Sequence, residues 1–477
     1  MNNKIDAKIA NNGSKGVSQH GMKKVSEGVK MNKAEFMQET GQMYEEMTEW
    51  RRLNPEASYD EIAEKVGEKR RLVNGKFLKE LAEQEGVGKC LENTKCPQCE
   101  EGEMHYKGVK EKTVAHREGE AKLERGRHDC THCDYTLYPL DEKLKLGSHQ
   151  MTPKMVSQAL RTAVEVPSYR RAADLFSELT QVSVSKSTLH RMTVKHGGEA
   201  DDERTEEAKK MVEVPKKEEE VTNREVPEPD SPMMNVSSDG CKVHIIGEGW
   251  KEVKTVAVSA VERTIDDETG EIDVKLSKHS YQAGLWEAKD FANYLWAESC
   301  RRGLEKATWI TSVNDGAHWI WSIVVMCFMQ CVQILDWWHA VQYLWDIAGV
   351  AFKDEEDNAK ARAWVDTQKR LLSQSQLRLV MRNIRLLFPR GQELPESVRK
   401  SVFYLFHNRW RMRYREFRAA GCPIGSGSVE SACKLVVQQR MKQSGMRWSR
   451  GGAQSMLALR SLLLSDRWDV VEASLAA

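Results

Sequence analysis

The chain has no run of 18 or more apolar residues, the length a bilayer-spanning helix needs. The stretch from Trp319 to Leu335 comes nearest, but Gln330 and Gln333 interrupt it and Asp315 and Asp336 flank it. Net charge is also lacking: 72 Lys and Arg against 71 Asp and Glu leave +1, which by itself argues for no partner. The N-terminus is polar and lysine-rich, without the apolar core of a secretion signal. These absences lead to the expectation of a soluble intracellular protein without membrane contact. The 11 cysteines suit a reducing compartment, since Cys300, Cys327, Cys331 and Cys433 sit singly in apolar segments where a thiol packs as a small hydrophobe.

At 477 residues the chain exceeds one compact core, and about two to four domains are expected. Basic stretches lie towards both ends and an acidic segment lies between them. Residues 1–89 read as a disordered polar tail followed by helices from Lys33 to about Glu85, broken at Asn54-Pro55. Residues 90–150 contain Cys96-Pro-Gln-Cys99 and Cys130-Thr-His-Cys133, two knuckles about thirty residues apart with alternating residues between them. That spacing supplies four thiolates for one structural Zn2+ in a zinc ribbon, with disulfide pairing as the rival. Cys90, His128 and His132 are bystanders on this reading, because four thiolates close the shell.

Residues 151–198 carry a three-helix pattern. Thr152-Pro153 starts the first helix, Pro167-Ser168 the second, and Ser185 the third after a turn through Thr180–Val184. The third helix would present Ser187, Thr188, His190, Arg191 and Lys195, which suits a helix-turn-helix reader of DNA, although an ordinary helical hairpin has the same pattern. Residues 199–230 are dense in Asp, Glu and Lys and read as a solvated linker or exposed helix.

From 231 to 477 the pattern is α/β. Strands are predicted at Met234–Asp239, Val253–Val261, about Val274–Lys278, Thr308–Val313 and Val332–Leu335, with a helix from Trp286 to about Leu304 and another through Trp319 and Trp321. A meander of three strands followed by strands alternating with helices is the order of a ribonuclease H-like fold. Residues 341–420 form an all-helical insertion within it. The predicted fold class is therefore multidomain: a helical region, a zinc ribbon and a helix-turn-helix, then an α/β ribonuclease H-like catalytic domain.

Three carboxylates stand out. Asp239 in Val236-Ser-Ser-Asp-Gly240 and Asp315 in Val313-Asn-Asp-Gly-Ala317 each end an apolar run before a glycine, as where a buried strand surfaces. Glu430 opens a helical pattern behind Gly425-Ser-Gly-Ser428. Two strand-end aspartates and a helix glutamate can converge on divalent metal ions. Glu430 and Lys434 could instead be a surface pair one helical turn apart. Arginines alternate with aromatics in His407–Arg418, among them Arg409, Arg411 and Arg413, and the run from Arg440 to Ser449 adds Lys442 and Arg447. Both stretches suit contacts to nucleic acid.

These motifs together resemble the DDE transposases of bacterial insertion sequences, closest to the Kra-type family, with Mutator-like relatives. The resemblance covers roughly residues 90–470. It is carried by the Cys-x-x-Cys pairs, Ser-Ser-Asp-Gly240, Asn-Asp-Gly-Ala-His-Trp-Ile-Trp321, Leu-Asp-Trp-Trp-His-Ala340, Gly-Ser-Gly-Ser-Val-Glu-Ser-Ala-Cys-Lys434 and Arg-Met-Lys-Gln-Ser-Gly-Met-Arg-Trp448. It implies Asp239, Asp315 and Glu430 as catalytic triad, two Mg2+ or Mn2+ ions, and terminal inverted repeats as substrate. Two ions about 3.5–4 Å apart would activate water to cut the transposon end, then the freed 3′-hydroxyl to attack target DNA. His339 resembles a histidine of the Mutator-like enzymes; with Asp336 it is expected just outside the triad, although a structural histidine and a helix cap are the plainer readings. Trp319, Trp321, Trp337 and Trp338 are expected mostly in the core, with capture of a flipped base as the minority reading. The implied setting is the bacterial nucleoid, with at least a dimer on DNA. A DNA-binding regulator without nuclease activity and a structure-selective endonuclease remain the alternatives.

Overall fold

In a computed structural model of the chain the described residues are 33–89, 94–212, 226–268, 270, 272–352, 358–389, 391 and 393–476. The segment expected to be disordered (1–30), Cys90 and residues 213–225 of the expected linker lie outside them. The chain divides into two compact units, one made of the residues up to Thr113 with Glu118–Leu144, the other of Val114–Arg117 with Lys145–Ala477.

The first unit begins with helices α1 (Lys33–Leu53) and α2 (Tyr59–Glu83). The break expected at Asn54-Pro55 falls between them, and Ser58 starts α2 through a capping box with Glu61. A three-stranded sheet follows in the order β1 (Met104–His116), β2 (Gly119–Cys130), β3 (Thr136–Leu137), then the short helix α3 (Pro139–Lys143). Helix α2 packs on β2. Gly75 permits that approach, because a Cβ there would collide with the Glu120 carbonyl.

The second unit opens with α4 (Pro153–Glu165), α5 (Tyr169–Thr180) and α6 (Lys186–Val212). Thr152 and Ser168 cap the first two as their sequences suggest. The third helix runs well past the expected boundary at 198, so residues 199–212 take the helical of the two readings, though not as a wholly exposed helix. Arg204 and Ala208 within them are buried. Arg204 donates to Gln282 Oε1 and to the Ala283 carbonyl. A five-stranded sheet comprises β4 (Met233–Ile245), β5 (Gly249–Ile265), β6 (Ile272–Gly284), β7 (Trp309–Asn314) and β8 (Val332–Leu335). Its order is β6-β5-β4-β7-β8, antiparallel through β6-β5-β4 and parallel from β4 to β7 to β8.

Strand β4 is longer than its apolar run predicts. It pairs with β7 only over Met233–Asn235 but continues against β5 to Ile245, so Asp239 lies opposite Thr255 within a strand rather than at its end. Alternate burial of Cys241, Val243 and Ile245 sustains the extension.

Helices α7 (Ala288–Arg301) and α8 (His318–Cys327) flank β7 in sequence, and α7 shares a core of Val236, Val256, Val258, Phe291 and Leu295 with the sheet. After β8 come α9 (Trp337–Ala351), α10 (Asn358–Ser373), α11 (Leu377–Leu386), α12 (Glu396–His407) and α13 (Tyr414–Ala419), whose core joins Val313, Ile334 and Leu335. The chain closes with α14 (Gly427–Ala432), α15 (Arg450–Leu464) and α16 (Trp468–Ala476). These last helices share one core with α4–α6 and with Val243, Val253 and Ala283 of the sheet. The segment 151–198 is thus part of the second unit's main core. Among the described residues no helix is long and apolar enough to cross a membrane.

Candidate active site and metal centre

The central seam of the sheet is polar although it is fully buried. Thr311 Oγ1 donates to Asn235 Oδ1 (3.0 Å), Asn235 Nδ2 to Ser237 Oγ (2.9 Å), Ser312 Oγ to the Val236 carbonyl (2.8 Å) and Asn314 Nδ2 to Ser312 Oγ (2.9 Å). Asn314 Oδ1 then accepts from Ser238 N at 2.7 Å. Such a network favours one register between β4 and β7, although the buried Ser238 hydroxyl has no partner in it. Asp239 and Asp315 follow Ser238 and Asn314, near enough that the Asp315 charge acts on Asp239. The signal was present in sequence as Ser, Thr and Asn inside two otherwise apolar runs.

Asp315 is held from both sides. Its Oδ1 accepts from Ala317 N at 2.9 Å, and Tyr404 of α12 donates its hydroxyl to the Asp315 carbonyl. Gly316 sits at φ +89°, where a Cβ would meet the Tyr404 hydroxyl. Asp239 Oδ1 accepts from Gly240 N at 2.6 Å. Burial, with the neighbouring Asp315 charge, holds the Asp239 carboxyl above the usual range despite that bond and another to Cys433.

Asp336 ends β8 and caps α9. One carboxylate oxygen accepts from His339 N (2.8 Å) and Nδ1 (3.0 Å), the other from Ser426 N (2.6 Å). Ser426 Oγ in turn donates to Glu430 Oε1 at 2.9 Å. Asp336 is therefore a cap that also ties down the glycine-serine turn delivering Glu430. Burial opposes ionisation of Asp336, yet the bonds from His339 and Ser426 hold it below the usual range. The bond to Asp336 lifts His339 above the ordinary imidazole range. Asp336, His339 and Glu430 each offer a ligand atom, and these atoms lie within 4.8 Å of one another.

Among the described residues no lysine or arginine forms a salt bridge with Asp239, Asp315 or Glu430. Glu430 and Lys434 are thus not the surface pair that their spacing allows. Helix α14 passes directly into a π-helical stretch, Cys433–Gln438, and then Gln439–Met441, an irregularity frequent at functional sites. Cys433 packs in the core as its apolar setting suggests, and its thiol also acts to lower the Asp239 carboxyl. Asn314, Tyr404 and Ser426 are the contributors that sequence reasoning missed.

Of the residues expected on DNA, Ser187, Arg191, Lys195, Arg409, Arg413, Lys434, Lys442 and Arg447 are exposed. Thr188 is partly buried, bonded to Ser185 Oγ at 2.9 Å. Arg411 lies over the Trp321 ring and donates to Gln333 and Asn408, so much of its fork is already engaged. Arg440 contradicts the expectation. It is 1% exposed and donates to the Ala163 and Pro167 carbonyls at the end of α4, beside Tyr169 and Trp448. Trp319 packs on Phe291, Trp321 is buried and Trp337 meets Tyr414 edge-on, whereas Trp338 is exposed.

In the first unit, Cys96, Cys99, Cys130 and Cys133 lie close together and could bind a metal ion. Sγ atoms of Cys96 and Cys133 are 3.7 Å apart, as are those of Cys99 and Cys130. Amides of Gln98, Gly102, His132 and Cys133 point at the sulfurs from 3.3–3.4 Å. The Gly102 amide is the main reason that the Cys99 thiol sits below its usual range. Gly102 is required sterically, since a Cβ would strike Cys130 Sγ. His132 faces Glu101 instead of the sulfurs, and His128 is buried beside Tyr106.

No curated protein matches the chain. A family match does cover most of its length, residues 98–468, taking in three of the four clustered cysteines and every carboxylate of the candidate site; the chain belongs to the uncharacterised protein family UPF0236.

Proposed function

We propose that this chain is a DNA transposase of the DDE type, cutting the terminal inverted repeats of an insertion sequence and joining them to target DNA. What carries the reading is that Asp239 and Asp315 extend neighbouring strands and act on one another electrostatically, while Glu430, tied to the end of the next strand through Ser426 and Asp336, acts with Asp315 on His339. The order β6-β5-β4-β7-β8, three antiparallel strands and then two parallel ones, supports a ribonuclease H-like core.

The chemistry of the donors fits divalent cations: Glu430 lies with Asp336 and His339 as one group of ligand atoms, and Asp239 and Asp315 add carboxylates without lysine or arginine partners. Asp239, Asp315 and Glu430 would hold two Mg2+ or Mn2+ ions. When bound, such ions supply Lewis-acid activation of a water or 3′-hydroxyl and neutralise charge on the phosphate. The protein's own part is positioning. The Asn314 seam sets the two aspartates, and Asp336 and Ser426 set Glu430. His339, fixed through Nδ1, keeps Nε2 for a phosphate oxygen.

On the same reading the four cysteines hold one structural Zn2+ in a zinc ribbon, and α4–α6 act as a helix-turn-helix with Arg191 and Lys195 towards DNA. Exposed Arg409, Arg413, Lys434, Lys442 and Arg447 contact phosphates. At least two copies would act together, one for each transposon end. The test is cleavage of duplexes carrying the element's ends, with Mg2+, followed on denaturing gels. Asp239→Ala, Asp315→Ala and Glu430→Gln should reduce nicking to background while DNA binding persists; nicking at wild-type rates in these variants removes the metal-site reading. Tight DNA binding with no cleavage by the intact chain favours a regulator, and cutting of branched DNA without repeats or strand transfer favours an endonuclease.

A further inference from the structure

A pair of facing histidines lies in the second unit, on elements the carboxylate site does not use. His149, in the segment leading into α4, and His196, on α6, face each other through their Nε2 atoms at 2.7 Å. Their rings are 5.0 Å apart between centroids and inclined by 56°. His196 is nearly buried, and its Nδ1 lies 2.8 Å from Glu199 Oε2. A carboxylate on Nδ1 places the proton there and leaves the Nε2 lone pair directed at His149. Beside the pair is a cavity of about 180 Å³, lined by Ser148, Lys195, Glu199 and Ser474 among others. The Lys195 ammonium is turned onto Ser148 Oγ (3.2 Å) and towards Glu199 Oε1 (4.0 Å), so its charge is partly offset.

We propose that His149 and His196 form a binding site for a divalent transition ion of the zinc class, with Glu199 orienting His196 and cavity water completing the coordination shell. Imidazole nitrogens select Zn2+, Ni2+ or Cu2+ over Mg2+, so this site is chemically distinct from the carboxylate cluster. Two nitrogens sharing a tetrahedral ion at about 2.0–2.1 Å stand roughly 3.3 Å apart, and the half-exposed His149 ring can withdraw by the required few tenths of an ångström. Burial also holds His196 below the ordinary imidazole range, which keeps it neutral and ready to ligate near pH 7. The bound ion would fasten α6 to the segment before α4.

The test uses the full chain with its cysteine cluster loaded, in excess Mg2+, given one further equivalent of Zn2+. Metal per chain by atomic emission should be one zinc higher in the wild type than in His149→Ala. Crystals of the same sample should give an anomalous zinc peak between the two Nε2 atoms. Glu199→Gln should weaken this zinc about 10–100-fold. Equal zinc counts in wild type and His149→Ala, or an anomalous peak confined to the cysteines or to Asp336, His339 and Glu430, overturns the proposal. His149 is only partly buried, so its variant keeps the test meaningful even if His196→Ala fails to fold.

Discussion

Arg440 and Arg460 are buried cations that donate mainly to backbone carbonyls, although Nη2 of Arg440 has no partner. Arg440 serves Ala163 and Pro167, and Arg460 serves Val164, Leu435 and Val436. Together they satisfy the carbonyls that the end of α4 leaves unpaired, and burial pushes Arg460 down to about 10. Removing such a group strands those carbonyls without partners. Arg440→Leu should therefore lower the unfolding free energy by about 3 kcal/mol in urea titrations, whereas exposed Arg447→Leu should change it by less than about 0.5 kcal/mol and weaken DNA binding alone. The two arginines occupy one basic run and look alike in sequence; only the packing of α4 against the last helices separates them. Of the candidate carboxylates, Asp315 follows the end of its strand as its glycine suggests, whereas Asp239 lies inside one. The double duty of Asp336 was not legible, because its second partner, Ser426, is distant in the chain.

Helix α7 brings one buried acid, Glu298, to the sheet, where Gln282 and Arg467 each reach Oε2 at 3.0 Å and Arg301 completes the pairing. Complete burial opposes its charge, but Arg467 and Arg301 prevail and the carboxyl falls from 4.5 to about 2. A depressed folded-state value gives stability that is complete above the unfolded pKa and is lost as pH falls through the folded one. The unfolding free energy should thus drop by on the order of 3 kcal/mol between about pH 5 and pH 2. Glu298→Gln should be less stable at neutral pH and show a shallower loss over that window, as read from urea titrations at each pH. At this scale the order of strands and the long helical insertion were readable from periodicity. The extent of β4 was not, because Asp239-Gly240 reads as a stop, yet β5 supplies a partner for every residue beyond it up to Ile245.

For the whole molecule, the two units have separate cores, and only the first holds the four cysteines. Stripping metal with a strong chelator should remove hydrogen-exchange protection from β1 and β2 while β4–β8 keep theirs. Loss of protection in both units together would contradict separate cores. The clustering of the four cysteines was readable from their spacing. The merging of residues 151–198 with the C-terminal helices was not, because no local pattern records which distant face a helix will cover. That merging has a consequence for biosynthesis. Ser157 bonds to Glu472 and Trp468, and α4 receives its carbonyl partners from Arg440 and Arg460. A helix made early in translation, covered at first only by α5 and α6, must wait for the rest of its partners until some 300 further residues have left the ribosome, at about 5–20 residues per second. The second unit is then a late-closing fold of high contact order, and its vulnerable interval is the time that the ribosome needs to reach α15 and α16.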